Sequence, residues 1–185
     1  MRDLIEAFAI AHSRVPEARL HLAGTPIGPA KGTYVELTRR IDELSLGDAI
    51  RLSGWHRYES LPNLYAASDV FVLPSKRASD GSKEGVPNVV LEAMAIGLPV
   101  VSTRHAGIPT AVADGETGVL VDEGDVTTLA AALTALAQDP NQRALMGAAG
   151  RERVEQSFDI RDQRKRLEAS YRQVLDGASP SGSRR

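Results

Sequence analysis

Cysteine is absent from the 185 residues, so disulfide bonds, thiolate-ligated zinc and thiol catalysis are all excluded. No apolar run approaches the roughly 18 residues that a membrane-crossing helix requires. The opening residues, Met1-Arg2-Asp3-Leu4-Ile5-Glu6, lack the long apolar region of a secretory leader. Neither sign of charge prevails. The 22 Lys and Arg stand against 24 Asp and Glu, and the net charge of −2 leaves no electrostatic footprint for nucleic acid. The four histidines are too scattered to suggest a metal site. A cytoplasmic setting is the expectation that these absences leave. What is present is a hydrophobic fraction of 42% and a charged fraction of 25%, the balance of a soluble globular chain rather than a disordered or fibrous one. The length suits one domain with a full core.

Strand-like and helix-like segments alternate along the chain. Helical spacing of Leu4, Ile5, Phe8 and His12 predicts a helix over 2–14, with Pro16 just beyond it. Strands are expected at 19–23, 50–53, 69–73, 99–102 and 118–121. Helices are expected at 34–44, 60–67, 87–96, 127–138, 142–157 and 161–175, and the Ser-, Gly- and Arg-rich segment 177–185 is expected to be disordered. Solidly apolar strands separated by helices indicate a parallel sheet covered on both faces, a doubly wound α/β domain of Rossmann-like form. Such sheets bind ligands beyond the carboxyl ends of their strands. The loops that leave those ends are 24–33, 54–59, 74–86, 103–107 and 122–125, all rich in glycine and polar residues.

The most informative segment is Lys83-Glu84-Gly85-Val86-Pro87-Asn88-Val89-Val90-Leu91-Glu92-Ala93-Met94-Ala95. Pro87 suits the first helical position, and Gly85 lets a ligand approach the backbone. The amides of Val86, Asn88 and Val89 would then sit at a positive helix end, a ready site for a phosphate or diphosphate. Glu92 is the only charged residue from Val89 to Ile96, on a helix that reads as apolar all round and therefore buried. One account gives its charge a small gain from the helix dipole. The other makes it a carboxylate awaiting ligand hydroxyls, because a buried carboxylate needs hydrogen-bond donors. Glu84, at the rim of the same loop, is either a solvated charge or a second carboxylate facing that ligand.

With seven residues between them, Glu84 and Glu92 lie within Glu-Gly-Val-Pro-Asn-Val-Val-Leu-Glu-Ala-Met-Ala-Ile-Gly-Leu-Pro-Val-Val. That stretch resembles the signature of the retaining glycosyltransferases of family 4, which have the GT-B fold. The run from Leu61 to Ser75 is similar to that family too, as is the run from His105 through Val121. Ser79-Asp80-Gly81 and Ser102-Thr103-Arg104-His105 look most like members that build bacterial exopolysaccharide. The resemblance implies that Glu84 contacts the donor sugar near the reacting centre. It also implies that the amides of Val86, Asn88 and Val89 hold the diphosphate, beside the donor-binding Gly85, and that Glu92 accepts from ribose hydroxyls. Trp55-His56 would meet the nucleotide base, and Gly24 would line the cleft. The donor would be a UDP- or GDP-sugar with no cofactor and no metal, consistent with the lack of an Asp-x-Asp pair. His12 and His21 read as structural or surface residues, and His105, beside Gly107, is a candidate for the cleft.

The same resemblance implies two Rossmann-like domains, with this chain as the second. An Arg and a Lys that neutralise the diphosphate would come from a strand and a Gly-Arg…Lys-Gly segment ahead of the first helix, and Arg2 is too far along that helix to replace them. In the strand order 3-2-1-4-5-6 the first strand is central, so the strands at Leu20 and Val70 are expected to lack a shared neighbour. The expectation is that Met1 is an internal methionine of a longer protein. Residues 1–176 would be the donor domain, 161–176 a helix crossing back to the other domain, and 177–185 a tail. Arg164-Lys165-Arg166 reads as a solvated face or a domain contact. The acceptor, a glycan or lipid-linked sugar, would bind the other domain, which places the whole protein in the cytoplasm or peripherally at the inner face of the membrane. Three readings stand: the donor half of a transferase, a noncatalytic nucleotide-sugar module, and an inactive gene fragment.

Overall fold

The computed structural model describes residues 1–24, 31–77 and 85–177. Within them the α/β alternation is present in full. Strand β1 (Leu20–Ala23) pairs in parallel with β2 (Ile50–Gly54), and β3 (Phe71–Leu73), β4 (Val100–Thr103) and β5 (Gly118–Val121) form a second parallel sheet in that order. A doubly wound order would set β1 and β3 on either side of a central strand. Among the described residues no ladder joins those two strands.

Helix α1 (Arg2–Arg14) bridges the division with side chains. Its Leu4, Ile5 and Phe8 pack with Leu20, Leu22 and Ile50 of the β1–β2 pair, and its Ala7 packs with Val101 and Val121 of the other sheet. Val72 of β3 touches both groups, so the core is continuous although the hydrogen-bond ladders are not. Glu6 accepts two hydrogen bonds from Arg40 at 2.6 and 2.9 Å, which ties α1 to α2 (Lys31–Glu43). An ion pair from Asp3 to Lys76 ties α1 to the loop after β3.

The β3–β5 sheet has helices on both faces. Val90 and Met94 of α4 (Asn88–Ile96) pack with Val100 and Leu120 on one face, and Leu129 and Leu136 of α6 (Val126–Gln138) pack with Val101 and Val121 on the other. All four residues of β4 are buried as a result. Its two hydroxyls, from Ser102 and Thr103, donate to the carbonyls of Leu73 and Ser75 at 2.5 and 2.6 Å, so they enter the core without an unpaired polar group. Helix α4 ends at Gly97, whose φ of 91° is the left-handed conformation that glycine adopts without strain. Helix α7 (Pro140–Ser157) crosses at that point, and a Cβ placed on its Gly147 would lie 1.9 Å from the Gly97 carbonyl oxygen. Asp125 and Asp139 cap α6 and α7, accepting from the amides of Thr128 and Gln142.

Several expectations change in detail. The helix expected over 60–67 is a 3-10 turn (Tyr58–Ser60) followed by α3 (Leu61–Ala66). The strand expected from Asp69 begins at Phe71, because Asp69 is solvent-exposed beside Arg143. A short helix, α5 (Ile108–Ala111), occupies a segment that reads as loop. Pro87 is the N-cap of α4, not its first helical residue: its ψ of 129° is extended. Helix α8 (Ile160–Gly177) includes Gly177, and 178–185 lie outside the described residues.

Candidate functional site

Among the described residues singled out in the sequence, Gly24, His56, His105 and the start of α4 all follow the carboxyl ends of strands. With Pro87 as cap, the amides of Asn88 and Val89 open the helix without intrahelical acceptors, while the Val90 amide turns back to the Pro87 carbonyl at 3.0 Å. Ahead of them, a Cβ at Gly85 would meet nothing within 4 Å, so one side of that backbone is open space. The Val86 side chain packs against the apolar group around Ile108 and Val90, which anchors its own amide. These are the groups an anion would find: three main-chain donors at the positive end of α4, next to a bare backbone.

Glu92 lies one turn into α4 and is half-buried, with Ala95 and Ile96 exposed beyond it. The helix is thus not buried on every side, contrary to its uniformly apolar sequence. Tyr65 of α3 donates its hydroxyl to Glu92 Oε2 at 2.9 Å. Burial first, and then the neighbouring carboxylate, push the Tyr65 phenol well above its ordinary range. One oxygen of Glu92 is therefore engaged by a protein donor. Sequence reasoning did not find Tyr65 as a site residue, since a lone tyrosine at a helical core position reads as packing. Glu84 and Ser79-Asp80-Gly81 lie outside the described residues.

A second group forms where β1 and β2 end. The Gly24 amide donates to the Gly54 carbonyl at 2.7 Å, and both glycines have positive φ, 125° and 70°. Ser53 Oγ donates to the Leu22 carbonyl at 3.3 Å and lies 2.7 Å from His56 Nε2. The Ser53 hydroxyl therefore links the end of β1 to the His56 imidazole. His21 meets His56 edge-on with ring centroids 5.9 Å apart, and burial, Arg51 and His56 together lower its pKa. His21 thus belongs to this group rather than to bare surface. Trp55 extends outward, 69% exposed. His12 stacks on Phe8 inside the helix layer, away from the strand ends.

The loops after β3, β4 and β5 are fastened to each other by acidic residues. Glu123 Oε1 lies 2.6 Å from His105 Nδ1, and Glu123 Oε2 accepts the Arg77 amide at 3.0 Å. Asp114 accepts from Arg104 at 2.6 Å and from the Leu120 amide at 2.8 Å, and both bonds help hold its carboxyl below the usual range, the backbone amide most. Glu123 carries no motif signal in the sequence. Only its place after a predicted strand, opposite a histidine in the neighbouring loop, could have marked it. Among the described residues no three His, Asp or Glu side chains are grouped to hold a metal ion, and no helix is long and apolar enough to cross a membrane.

Comparison with known proteins adds a family. The glycosyl transferases group 1 family matches residues 1–153. The amylovoran biosynthesis glycosyltransferase AmsK of Erwinia amylovora is 39% identical over 124 residues, covering 67% of this chain and 30% of that protein. The GDP-mannose-dependent alpha-(1-6)-phosphatidylinositol monomannoside mannosyltransferase of Mycolicibacterium smegmatis is 37% identical over 150 residues, 80% of this chain and 38% of that protein. These two curated relatives are thus matched over only 30% and 38% of their own length. Among solved structures, sucrose-phosphate synthase of Thermosynechococcus elongatus superimposes with a TM-score of 0.79 at 30% identity, over 96% of this chain and 43% of that one. Anabaena HepE, solved in complex with UDP, gives a TM-score of 0.84 at 24% identity, over 94% of this chain and 45% of that one, a likeness of fold.

Proposed function

We propose, for a chain that belongs to the glycosyl transferases group 1 family and shares its fold with part of GT-B glycosyltransferases, the donor-binding role in a retaining sugar transfer. The donor is a UDP- or GDP-sugar, and the acceptor is a glycan or lipid-linked sugar held by another domain. On this reading residues 1–176 are the donor domain, and the end of α8 crosses towards the acceptor domain. The reaction takes place in the cytoplasm, at the inner membrane face where the acceptor is lipid-linked.

The observation that carries this reading is the pairing at α4: main-chain donors at Val86, Asn88 and Val89 beside the open backbone of Gly85, with the Glu92 carboxylate one turn further along. The amides take the diphosphate. As the bond between the sugar's anomeric carbon and the phosphate oxygen breaks, its electron pair passes to the diphosphate, and preorganised N–H dipoles stabilise that charge without needing to reorient. An acceptor hydroxyl oxygen then bonds the anomeric carbon, and its proton passes to the departing diphosphate oxygen. Glu92, steadied on one oxygen by Tyr65, has its remaining acceptor capacity for ribose hydroxyls. Glu84 faces the sugar, His56 and Trp55 the base, and Gly24 the cleft wall.

Calorimetric titration with UDP, GDP and pyrophosphate tests the reading. Glu92→Gln is expected to weaken nucleotide binding by about tenfold, the loss of a charge-assisted hydrogen bond, and to leave pyrophosphate binding unchanged. Equal nucleotide affinity in the variant and the parent removes the ribose role.

A further inference from the structure

We propose that His105 and Glu123 are positioning residues for the diphosphate-binding amide of Val86, an inference that rests on the donor-binding reading above. Gly107 follows β4 and precedes α5. Its φ of −81° is ordinary, so glycine is not needed there for its dihedral freedom. It is needed for closeness: a Cβ at Gly107 would lie 2.8 Å from both the Gly85 carbonyl carbon and the Val86 nitrogen. The loop after β4 is therefore the wall against which the Gly85–Val86 peptide rests.

That wall is held in a conformation it would not adopt unaided. Ala106, immediately before Gly107, has a φ of 48°, the left-handed region that costs a residue with a Cβ about 1 kcal/mol or more. The residue on its other side supplies the restraint. His105 donates its amide to the Thr103 carbonyl at 2.7 Å and accepts the Ile108 amide at 3.1 Å, so its backbone is fixed at both ends. Its ring is fixed by Glu123, 2.6 Å from Nδ1, with the imidazole side chain only 12% exposed. Glu123 is itself held by the Arg77 amide on its second oxygen. Arg77's amide and then His105 keep the Glu123 carboxyl below its ordinary range, so it is an acceptor and Nδ1 carries the proton. The chain of contact runs from the β3 and β5 loops through Glu123 and His105 to Ala106 and Gly107, and ends on the Val86 amide. Releasing His105 from Glu123 lets Ala106 relax, moves Gly107 off the Gly85–Val86 peptide, and misplaces the amide that meets the anion.

The bond is made by Nδ1, which gives the test its discrimination. An asparagine places an N–H near the Nδ1 position, whereas a glutamine reaches towards the Nε2 position. In the 185-residue chain, calorimetric titration with UDP and GDP is expected to show about tenfold weaker binding in His105→Ala and His105→Gln, and affinity within about twofold of the parent in His105→Asn. Parental affinity in His105→Ala, or equal losses in the Asn and Gln variants, overturns the proposal. Should His105→Ala fail to fold, the Asn and Gln pair decides alone. Binding of neither nucleotide by the parent chain overturns the donor reading itself. The brace is then judged by the Val86 amide resonance of the unliganded chain, which shifts in the Gln variant and not in the Asn variant if His105 sets its position. A resonance unmoved in both overturns it.

Discussion

The β1–β2 pair and the β3–β5 sheet are built from the same kind of parallel strand and are buried differently. Along β1, Leu20 and Leu22 are buried while His21 and Ala23 are exposed, whereas every residue of β4 is buried. The difference lies in the helices. The β3–β5 sheet has α4 on one face and α6 on the other, and α7 crosses α4 closely enough to require Gly147. The β1–β2 pair gathers its apolar contacts with α1 and α2 in a single cluster. A strand covered twice has little room to adjust, and one covered once can sink into the space a lost group leaves behind.

Stability measurements can break that comparison. Met94→Ala, at a site with 0% exposure between α4 and the sheet, should cost about 4 kcal/mol in urea unfolding. Leu22→Ala in β1, at 8% exposure, should cost about 2 kcal/mol. Equal losses would show the two regions to be packed alike. Gly147→Ala falls between the two, at about 3 kcal/mol, because the new methyl would have to displace backbone rather than a flexible side chain. A loss within about 0.5 kcal/mol of zero would mean that α7 moves away from α4 freely.

Gly85→Ala sharpens the comparison within the better-packed region, since its Cβ would stand in open space. The melting temperature should be unchanged, while UDP and GDP binding weakens severalfold because the methyl occupies ground meant for ligand. A drop in stability with unchanged binding would reverse that assignment. The smallest effect belongs to the other region. Arg40 holds the Glu6 carboxyl below its ordinary range, chiefly by their hydrogen bond. A lowered folded pKa stabilises above the unfolded carboxylate range, and that gain disappears as pH falls through the folded value. The stability gap between the parent and Glu6→Gln should therefore be open near neutral pH and should close below about pH 4. A gap of the same size in acid would locate the effect elsewhere.

The elements that could be read from the sequence were those whose side chains carry the signal. The Val100–Thr103 and Gly118–Val121 segments are short apolar or β-branched runs between turn residues, and both are strands. The doubly wound fold follows from that pattern alone. The α4 amides were legible for the same reason, from the Gly-Val-Pro-Asn entry to a helix. What was not legible depended on pairs distant in sequence. Tyr65 meets Glu92 from 27 residues away, and His105 meets Glu123 from 18; neither spacing has a local period. Pro87 was misplaced by one position because proline fits both the cap and the first helical turn, and only its ψ distinguishes them. The exposed side of α4 was missed because Ala95 and Ile96 look like core in any window, and only tertiary packing leaves them uncovered.

The unladdered seam between β1 and β3 bears on how the molecule loses its order. In a continuous sheet, fraying of one strand pulls on the next through main-chain bonds, which makes unfolding a concerted event. Here the two sheets communicate through side chains: the apolar face of α1, Val72, and Leu133 of α6. Separate ladders let the β1–β2 pair open ahead of the β3–β5 sheet, a step that amide hydrogen exchange would register as earlier loss of protection in β1 and β2 than in β4. Val90 and Met94 of α4 pack with the β3–β5 sheet, so that helix need not follow the β1–β2 pair when the pair opens.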